Sequence, residues 1–214
     1  NKGSQNHVIY GNLAIICGIK GNKDEMIKLL RKSIEIEPLY EQAYNNLGIA
    51  LLERNQLDSA VNLFENAIKI KPDYSDAYIN LGMAMYHKNS IERAKNYYKK
   101  ALSIDPINIK AYNGLAITYE NENEFDRAID CYKKALEINP LSSEIHKNLA
   151  NSYLKKGQVD EAIISYKQSI KINPKESSVH NNFASALKKK GLFDEAISEY
   201  NNALRIDPSN ANAH

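Results

Sequence analysis

Apolar residues recur along the chain in blocks of constant length. In each block, a large apolar residue is followed at once by a small one, as with Leu47 and Gly48. In most blocks, small residues then flank a large one at helical spacing, as with Ala60, Phe64 and Ala67. Such spacings place side chains on one helix face, and large residues facing small ones let two helices pack closely. Each block therefore predicts two helices, here called helix A and helix B.

A break separates the two helical segments of every block. It falls on Gly or Asn, the residues that tolerate a left-handed backbone at a helix C-terminus: Gly21, Asn55, Asn89, Asn123, Gly157 and Gly191. An acidic residue follows three positions later, where it suits the start of helix B by capping it or by opposing the helix dipole: Asp24, Asp58, Glu92, Asp126, Asp160 and Asp194. The pattern predicts a tight turn between the two helices.

Six evenly spaced prolines set the period of the whole chain: Pro38, Pro72, Pro106, Pro140, Pro174 and Pro208. Proline disfavours helix in the residue that precedes it, so each one closes a helix B. If each repeat ends two residues after its proline, the predicted repeats are 7–40, 41–74, 75–108, 109–142, 143–176 and 177–210. Residues 1–6 are then an N-terminal tail or the end of a preceding repeat, and residues 211–214 start a truncated seventh repeat. A fixed period of 34 residues predicts a repeat array whose hydrophobic core grows with each added repeat.

The repeat resembles the tetratricopeptide repeat (TPR), whose pattern is W-x2-L-G-x2-Y, then A-x3-F, then P, over about 34 residues. Repeat 2 carries the matching residues Tyr44, Leu47, Gly48, Leu51, Ala60, Phe64, Ala67 and Pro72. Departures are mild: Met26 replaces a small residue, and His146 and His180 replace the first aromatic residue. The resemblance implies an all-α fold, a right-handed superhelical solenoid of antiparallel helix pairs, with helix A lining its concave side.

Helix A keeps a stripe of residues that packing does not use, at repeat positions 2, 5, 6, 9, 12 and 13. Position 6 is Gly114 in the fourth repeat and asparagine in the other five: Asn12, Asn46, Asn80, Asn148 and Asn182. An amide offers both a donor and an acceptor, which suits binding of an extended peptide backbone. The resemblance implies the same, because TPR proteins such as O-linked N-acetylglucosamine transferase use an asparagine ladder in the groove. Asparagine makes up 26 of the 214 residues, so a ladder that only covers solvated helix surface is the alternative.

The rest of the stripe changes character along the chain. Its first part is apolar and includes Ile15, Ile19, Ile49, Leu52, Ile79, Met83, Tyr86 and Ile117, whereas its last part includes Lys147, Asn151, Lys155, Lys188 and Lys189. Stripe charges sum to −2 over repeats 1–3, from Glu53 and Asp76, and to +3 over repeats 4–6, from five lysines against Glu120 and Glu144. An apolar strip beside a basic one predicts a bipartite groove that favours a peptide with an acidic segment. The alternative is that neighbouring repeats cover the aliphatic residues.

Two narrower site hypotheses follow from single residues. Lys147, Asn151 and Asn182 match part of the carboxylate clamp of chaperone-binding TPR domains, but the next clamp position falls on Asn212 and the last lies beyond the chain. His146, His180 and His214 recur one repeat apart. Successive repeats stack roughly 10 Å apart, which is too far for one metal with ~2 Å bonds. We therefore predict packing histidines, with no metal, cofactor or catalytic residue.

Composition limits the remaining possibilities. The net charge of +2 argues against a dedicated nucleic-acid binder. The longest apolar stretch, near Leu13 to Ile19, is too short to cross a bilayer. Cys17 and Cys131 form no disulfide framework or zinc spacing, which favours a reducing, cytoplasmic location.

The sequence therefore predicts a non-catalytic scaffold that binds an extended peptide or a helix in the groove of the array. Two alternatives stay open. The array is the substrate-recruiting region of a larger enzyme, such as a glycosyltransferase, or it self-assembles into homo-oligomers through uncapped ends, since solenoids need polar end caps.

Overall fold

The computed structural model describes residues 6–208, which form twelve α-helices and no strand. The helices are α1 (Asn6–Ile19), α2 (Lys23–Ile36), α3 (Glu41–Leu52), α4 (Leu57–Ile70), α5 (Ser75–His87), α6 (Ile91–Ile104), α7 (Ile109–Asn121), α8 (Phe125–Ile138), α9 (Ser143–Lys156), α10 (Val159–Ile172), α11 (Ser177–Lys190) and α12 (Phe193–Ile206). Odd-numbered helices are the predicted helices A, and even-numbered helices are the predicted helices B. The prediction of an all-α repeat array is confirmed.

The chain divides into two compact units, one ending at Gly114 and the other beginning at Leu115, within α7. In the first unit, each helix from α1 to α5 packs on the next one. In the second unit, each helix from α8 to α11 likewise packs on the next one. Inside each unit, a helix B therefore lies between the helix A of its own repeat and the helix A of the following repeat.

A left-handed residue makes the turn between helix A and helix B in every repeat. The φ angles are 58°, 57° and 61° at Asn55, Asn89 and Asn123, and 77°, 86° and 86° at Gly21, Gly157 and Gly191. The residue after the turn closes it by donating its backbone N–H to a carbonyl of the preceding helix, as Gln158 does to Tyr153 at 2.9 Å. This is the geometry of a Schellman C-cap, which confirms the predicted role of these Gly and Asn residues.

The acidic residue after each turn lies in the first turn of helix B, as predicted, but it does not cap the helix. Four of these acids instead pair with a Lys or Arg at the end of the next helix A: Asp24–Arg54 at 2.5 Å, Asp160–Lys190 at 2.5 Å, Asp58–Lys88 and Asp126–Lys156. The acids are largely exposed, so each pair contributes no more than about 1 kcal/mol.

The core of each of the first five repeats is a large side chain of helix B set among small residues, whereas Tyr200 at the same position of the sixth is half-buried. Leu30, Phe64, Tyr98, Tyr132 and Tyr166 are buried, as are the alanines three and four residues away from most of them. Burial raises the pKa of Tyr98 and Tyr166, because the phenolate is poorly solvated there. These rings form the packing that fixes helix A, and with it the stripe.

No helix between residues 6 and 208 is long and apolar enough to cross a membrane. The longest have 14 residues, whereas a span needs about 20.

Candidate functional site

In the first unit, the asparagine stripe is partly bonded within the protein. The side chain of Asn80 donates Nδ2–H to Oδ1 of Asn45 at 2.8 Å, and Asn45 is buried. This bond joins helix A of the second predicted repeat to helix A of the third. Asn46 and Asn80 are half-buried, and Asn12 is exposed on α1. Asn80 therefore keeps one N–H and its oxygen for a ligand, rather than the whole amide.

The apolar part of the stripe is smaller than the sequence predicts. Ile49 and Met83 are half-buried beside the asparagines, and Ile117 is half-buried on α7. Ile79, however, is only 6% exposed, so its assignment to an exposed strip is wrong. Its repeat position faces neighbouring helices, because Asn45 and Asn181 at the same position are buried as well. Covering by neighbours thus explains part of the aliphatic pattern.

In the second unit, three predicted residues share one cavity. Asn151, Lys155 and Asn182 line a space of about 280 Å³ together with Leu154, Tyr166 and Ser185. Oδ1 of Asn151 accepts the hydroxyl of Tyr166 at 2.5 Å and Nδ2–H of Asn182 at 3.3 Å. These bonds orient both amides and leave Nδ2 of Asn151 and Oδ1 of Asn182 for a bound molecule. Tyr166 comes from helix B, so the helix A stripe could not reveal it.

The lysines of the stripe do not act together. Lys147 lies 2.7 Å from Oε1 of Glu176, which stands just before α11 and was absent from the sequence-based charge sum. The +3 assigned to repeats 4–6 is therefore too high. Lys188 and Lys189 are exposed in the last turn of α11. The pairing of Lys147 also weakens the carboxylate-clamp hypothesis, and Asn212, which that hypothesis needs, lies outside the described residues.

Glu120 contacts the candidate site, although its sequence position identifies it only as a charge on the stripe. Its side chain is 15% exposed. Oε1 accepts the hydroxyls of Ser152 and, at 3.4 Å, of Tyr132, while Oε2 lies 3.4 Å from Nζ of Lys155. Glu120 therefore pairs with Lys155, the lysine that lines the cavity. The available signal was its repeat position, which carries Gly, Leu, Tyr or Lys in the other repeats.

Two of the periodic histidines have a shared packing role. Nε2–H of His146 donates to the carbonyl of Pro140 at 3.0 Å, and Nε2–H of His180 donates to that of Pro174 at 3.0 Å. Each histidine thus ties helix A to the proline that closes the previous repeat. His214 lies outside the described residues, within which no group of three His, Cys, Asp or Glu side chains is placed to hold a metal ion.

Asn148, the remaining asparagine of the stripe, lies half-buried on α9.

These helix pairs and their stripe define an α-helical repeat protein. Five family models, described as tetratricopeptide repeat or TPR repeat, match residues 7–38, 29–62, 50–89, 75–108, 109–140, 143–176 and 184–214. The chain belongs to the tetratricopeptide repeat family.

Solved structures share the fold at low sequence identity. A chain of the APC/C hetero-tetramer Cut9–Hcn1 is 20% identical with a TM-score of 0.85, over 98% of this chain and 42% of that one. PilF of Pseudomonas aeruginosa is 17% identical with a TM-score of 0.86, over 100% and 97%. YrrB, a TPR protein with an unusual peptide-binding site, is 21% identical with a TM-score of 0.67, over 86% and 95%. This chain thus spans less than half of the Cut9–Hcn1 chain. No curated protein sequence matches significantly.

Proposed function

We propose that this chain is a non-catalytic scaffold that binds a protein partner through an extended peptide on the helix A stripe. The observation that carries the proposal is the cavity of the second unit, where Asn151, Lys155 and Asn182 meet Tyr166 and Ser185. It offers amide, hydroxyl and ammonium groups in one small space. Such a mixture binds a peptide backbone and one acidic side chain. That YrrB has a peptide-binding site is consistent with this proposal.

The acidic preference of the partner rests on the exposed cations near this cavity. Lys188 and Lys189 are exposed on α11, the helix that supplies Asn182 and Ser185. Both stand at the C-terminal end of that helix, where the dipole stabilises positive charge. In the first unit, Ile49 and Met83 offer apolar contact beside Asn46 and Asn80. Each unit by itself thus offers a surface for a peptide, which is apolar in the first unit and basic in the second.

Replacing Asn182 with Ala is expected to weaken peptide binding about fivefold, because one hydrogen bond contributes about 1 kcal/mol. Peptides selected from a random display library on the wild-type chain serve as ligands, and fluorescence anisotropy gives their affinities. The double variant Lys188→Glu with Lys189→Glu is expected to weaken the binding of acidic peptides further than Asn182→Ala does.

The matched control is Asn201→Ala, an exposed asparagine on α12 outside the cavity. It is expected to leave the affinities unchanged. Equal affinities for wild type and Asn182→Ala, with unchanged melting, would remove the cavity as the site. Selection of peptides that lack acidic residues would remove the basic contribution alone.

Self-association is a second candidate function, and the exposed face of α1 favours it. Ile9, Leu13 and Ile16 are 53%, 43% and 49% exposed, whereas the residues at the same positions of the second repeat, Ala43, Leu47 and Ala50, are 0%, 4% and 1% exposed. On α12, Phe193 and Ile197 are 63% and 59% exposed. Inside each unit, a helix B covers the corresponding helix A face. A second copy would do the same if its α12 packed on α1, in a head-to-tail arrangement.

Leu13→Glu with Ile16→Glu is expected to abolish any such oligomer, because it buries charges in an apolar contact. Light scattering across a range of protein concentrations measures the mass. Ile164→Glu is the control, since Ile164 is 61% exposed, more than Leu13 or Ile16, but lies on α10. A wild-type chain that is monomeric at all concentrations would refute self-association.

A further inference from the structure

A larger cavity lies away from the stripe, between α2 and the end of α3. Its volume is about 530 Å³. The buried side chains of Ile27 and Leu51 contribute apolar lining. None of its lining residues belongs to the helix A stripe. Its size falls in the range of cavities that hold a ligand rather than a single ion.

Cations dominate the rim of this cavity. Lys28, Arg31, Lys32 and Arg54 line it, against the acids Asp24 and Glu35, which is four positive charges against two negative ones. Arg54 and Asp24 neutralise each other at 2.5 Å. The other three cations all lie on α2, where Glu35 is the other acid of the lining. One of them, Lys28, also lies 3.6 Å from Glu25, which stands outside the lining. The lining residues therefore carry an excess of two positive charges, one of which the pair of Lys28 with Glu25 offsets.

The second unit has a cavity at the same place in its repeats, with the opposite charge. It measures about 360 Å³ and lies between α8 and α9. Its lining includes two cations, Lys133 and Lys156, and three acids, Asp126, Asp130 and Glu161. Asp130 takes the repeat position of Lys28. Since the fold forms this cavity with either charge, the basic rim in the first unit is not required for packing.

We propose that the cavity between α2 and α3 is a second binding site, for an acidic peptide segment that carries one bulky apolar side chain. Carboxylates of the segment pair with Lys28, Lys32 and the forked guanidinium of Arg31. Its apolar side chain lies over Ile27 and Leu51. Phosphate chains fit less well, because the apolar lining gives them no contact and Glu35 repels them. This site is separate from the stripe and does not depend on the proposed function.

The test uses a short fluorescein-labelled peptide of glutamates around one leucine. Lys28→Glu with Arg31→Glu is expected to weaken its binding by roughly tenfold or more, since two rim attractions become repulsions. Lys133→Glu is the matched control in the acidic cavity and is expected to change binding less than about twofold. Both variants alter exposed side chains, so circular dichroism melting is expected to match the wild type.

Several outcomes would overturn the site. They are no binding by the wild-type chain, equal losses in the Lys133→Glu control, equal binding of a peptide with serines in place of glutamates, and equal binding of a peptide with alanine in place of leucine. Stronger competition by inorganic phosphate, a short oligonucleotide or phosphatidylserine vesicles than by unlabelled peptide would also overturn it. Asn182→Ala is expected to leave in place the part of this binding that Lys28→Glu with Arg31→Glu removes, which separates the result from any result for the stripe.

Discussion

Replacing Phe64 with Ala is expected to lower the free energy of unfolding by about 3–5 kcal/mol. The ring on α4 is fully buried and is among the largest fully buried side chains of the described residues. It packs against α3, so its loss opens a cavity between the two helices of one repeat. In a repeat array, such a loss also weakens the contacts that this repeat makes with its neighbours.

The ring fits because Gly48 faces it. A Cβ built on Gly48 would lie 2.5 Å from Cε1 of Phe64 and 2.8 Å from Cδ1. Atoms at such distances overlap, so Gly48→Leu forces the ring or the helix to move and is expected to cost about 1–3 kcal/mol or more. It does so although Gly is itself about 1 kcal/mol worse than Ala inside a helix.

The two substitutions are expected to compensate each other. Gly48→Leu combined with Phe64→Ala places the new side chain in the space that the ring leaves, so the double variant is expected to lose less than the sum of the single losses. Urea unfolding followed by circular dichroism measures all four proteins. Ile164→Ala, at an exposed site on α10, is the control with little expected loss. Additive losses, or a loss below about 1 kcal/mol for Phe64→Ala, would show that this contact does not hold the repeat together.

The period of the sequence was enough to predict the helix pairs. Asn55 and Gly157 differ in type but both take positive φ, and a residue in that conformation ends helix A wherever it occurs. Such information is local to a short segment of the chain. It recurs once in every repeat, so six weak signals reinforce one another.

Contacts between repeats were harder to predict. The pairing of Asp58 with Lys88 joins two neighbouring repeats, and its signal is a cation placed at the end of helix A in most repeats. The burial of Ile79 has no such signal, because spacing along one helix does not tell which residues a neighbouring helix covers. Likewise, the bond from Asn80 to Asn45 depends on how two helices A stand beside each other.

Only part of the candidate site could be predicted, because helical spacing identifies residues of helix A but not the residues that a neighbouring helix adds. Asn151 and Lys155 lie four residues apart on α9, so helical spacing places them on a common face. Asn182 takes a stripe position on α11, the next helix A. Tyr166 belongs to helix B, and its sequence pattern is that of a core residue. It is indeed buried, yet its hydroxyl reaches Asn151 at 2.5 Å. One side chain thus serves both packing and the cavity, which a pattern that sorts residues into two classes cannot show.

Replacing Glu120 with Ala is expected to cost about 2–4 kcal/mol, because it leaves two buried hydroxyls without their acceptor at about 1–2 kcal/mol each. Ser152 and Tyr132 are both fully buried and both donate to Oε1 of Glu120. Glu120→Gln keeps an oxygen at this place and is expected to lose less than about 1.5 kcal/mol. Urea unfolding compares the two variants. Equal losses would mean that the charge of Glu120, rather than its hydrogen bonds, stabilises the second unit.

Glu120→Gln removes the negative charge but keeps an oxygen acceptor, so it also tests the effect of the charge in two further measurements. Burial raises the pKa of Tyr132, and the Glu120 carboxylate raises it further. The raised pKa means that the folded state holds the Tyr132 proton more tightly than the unfolded state does. The stability of the fold is therefore unaffected by this group below about pH 10, and it falls as the pH rises above that value. Without the carboxylate this loss is smaller, and alkaline unfolding is expected to shift to higher pH.

Glu120→Gln also releases Lys155 from its ion pair. Acidic peptides are therefore expected to bind the cavity of the second unit more tightly in this variant than in the wild type. Unchanged peptide affinity, with the alkaline shift present, would show that Lys155 does not contact the ligand.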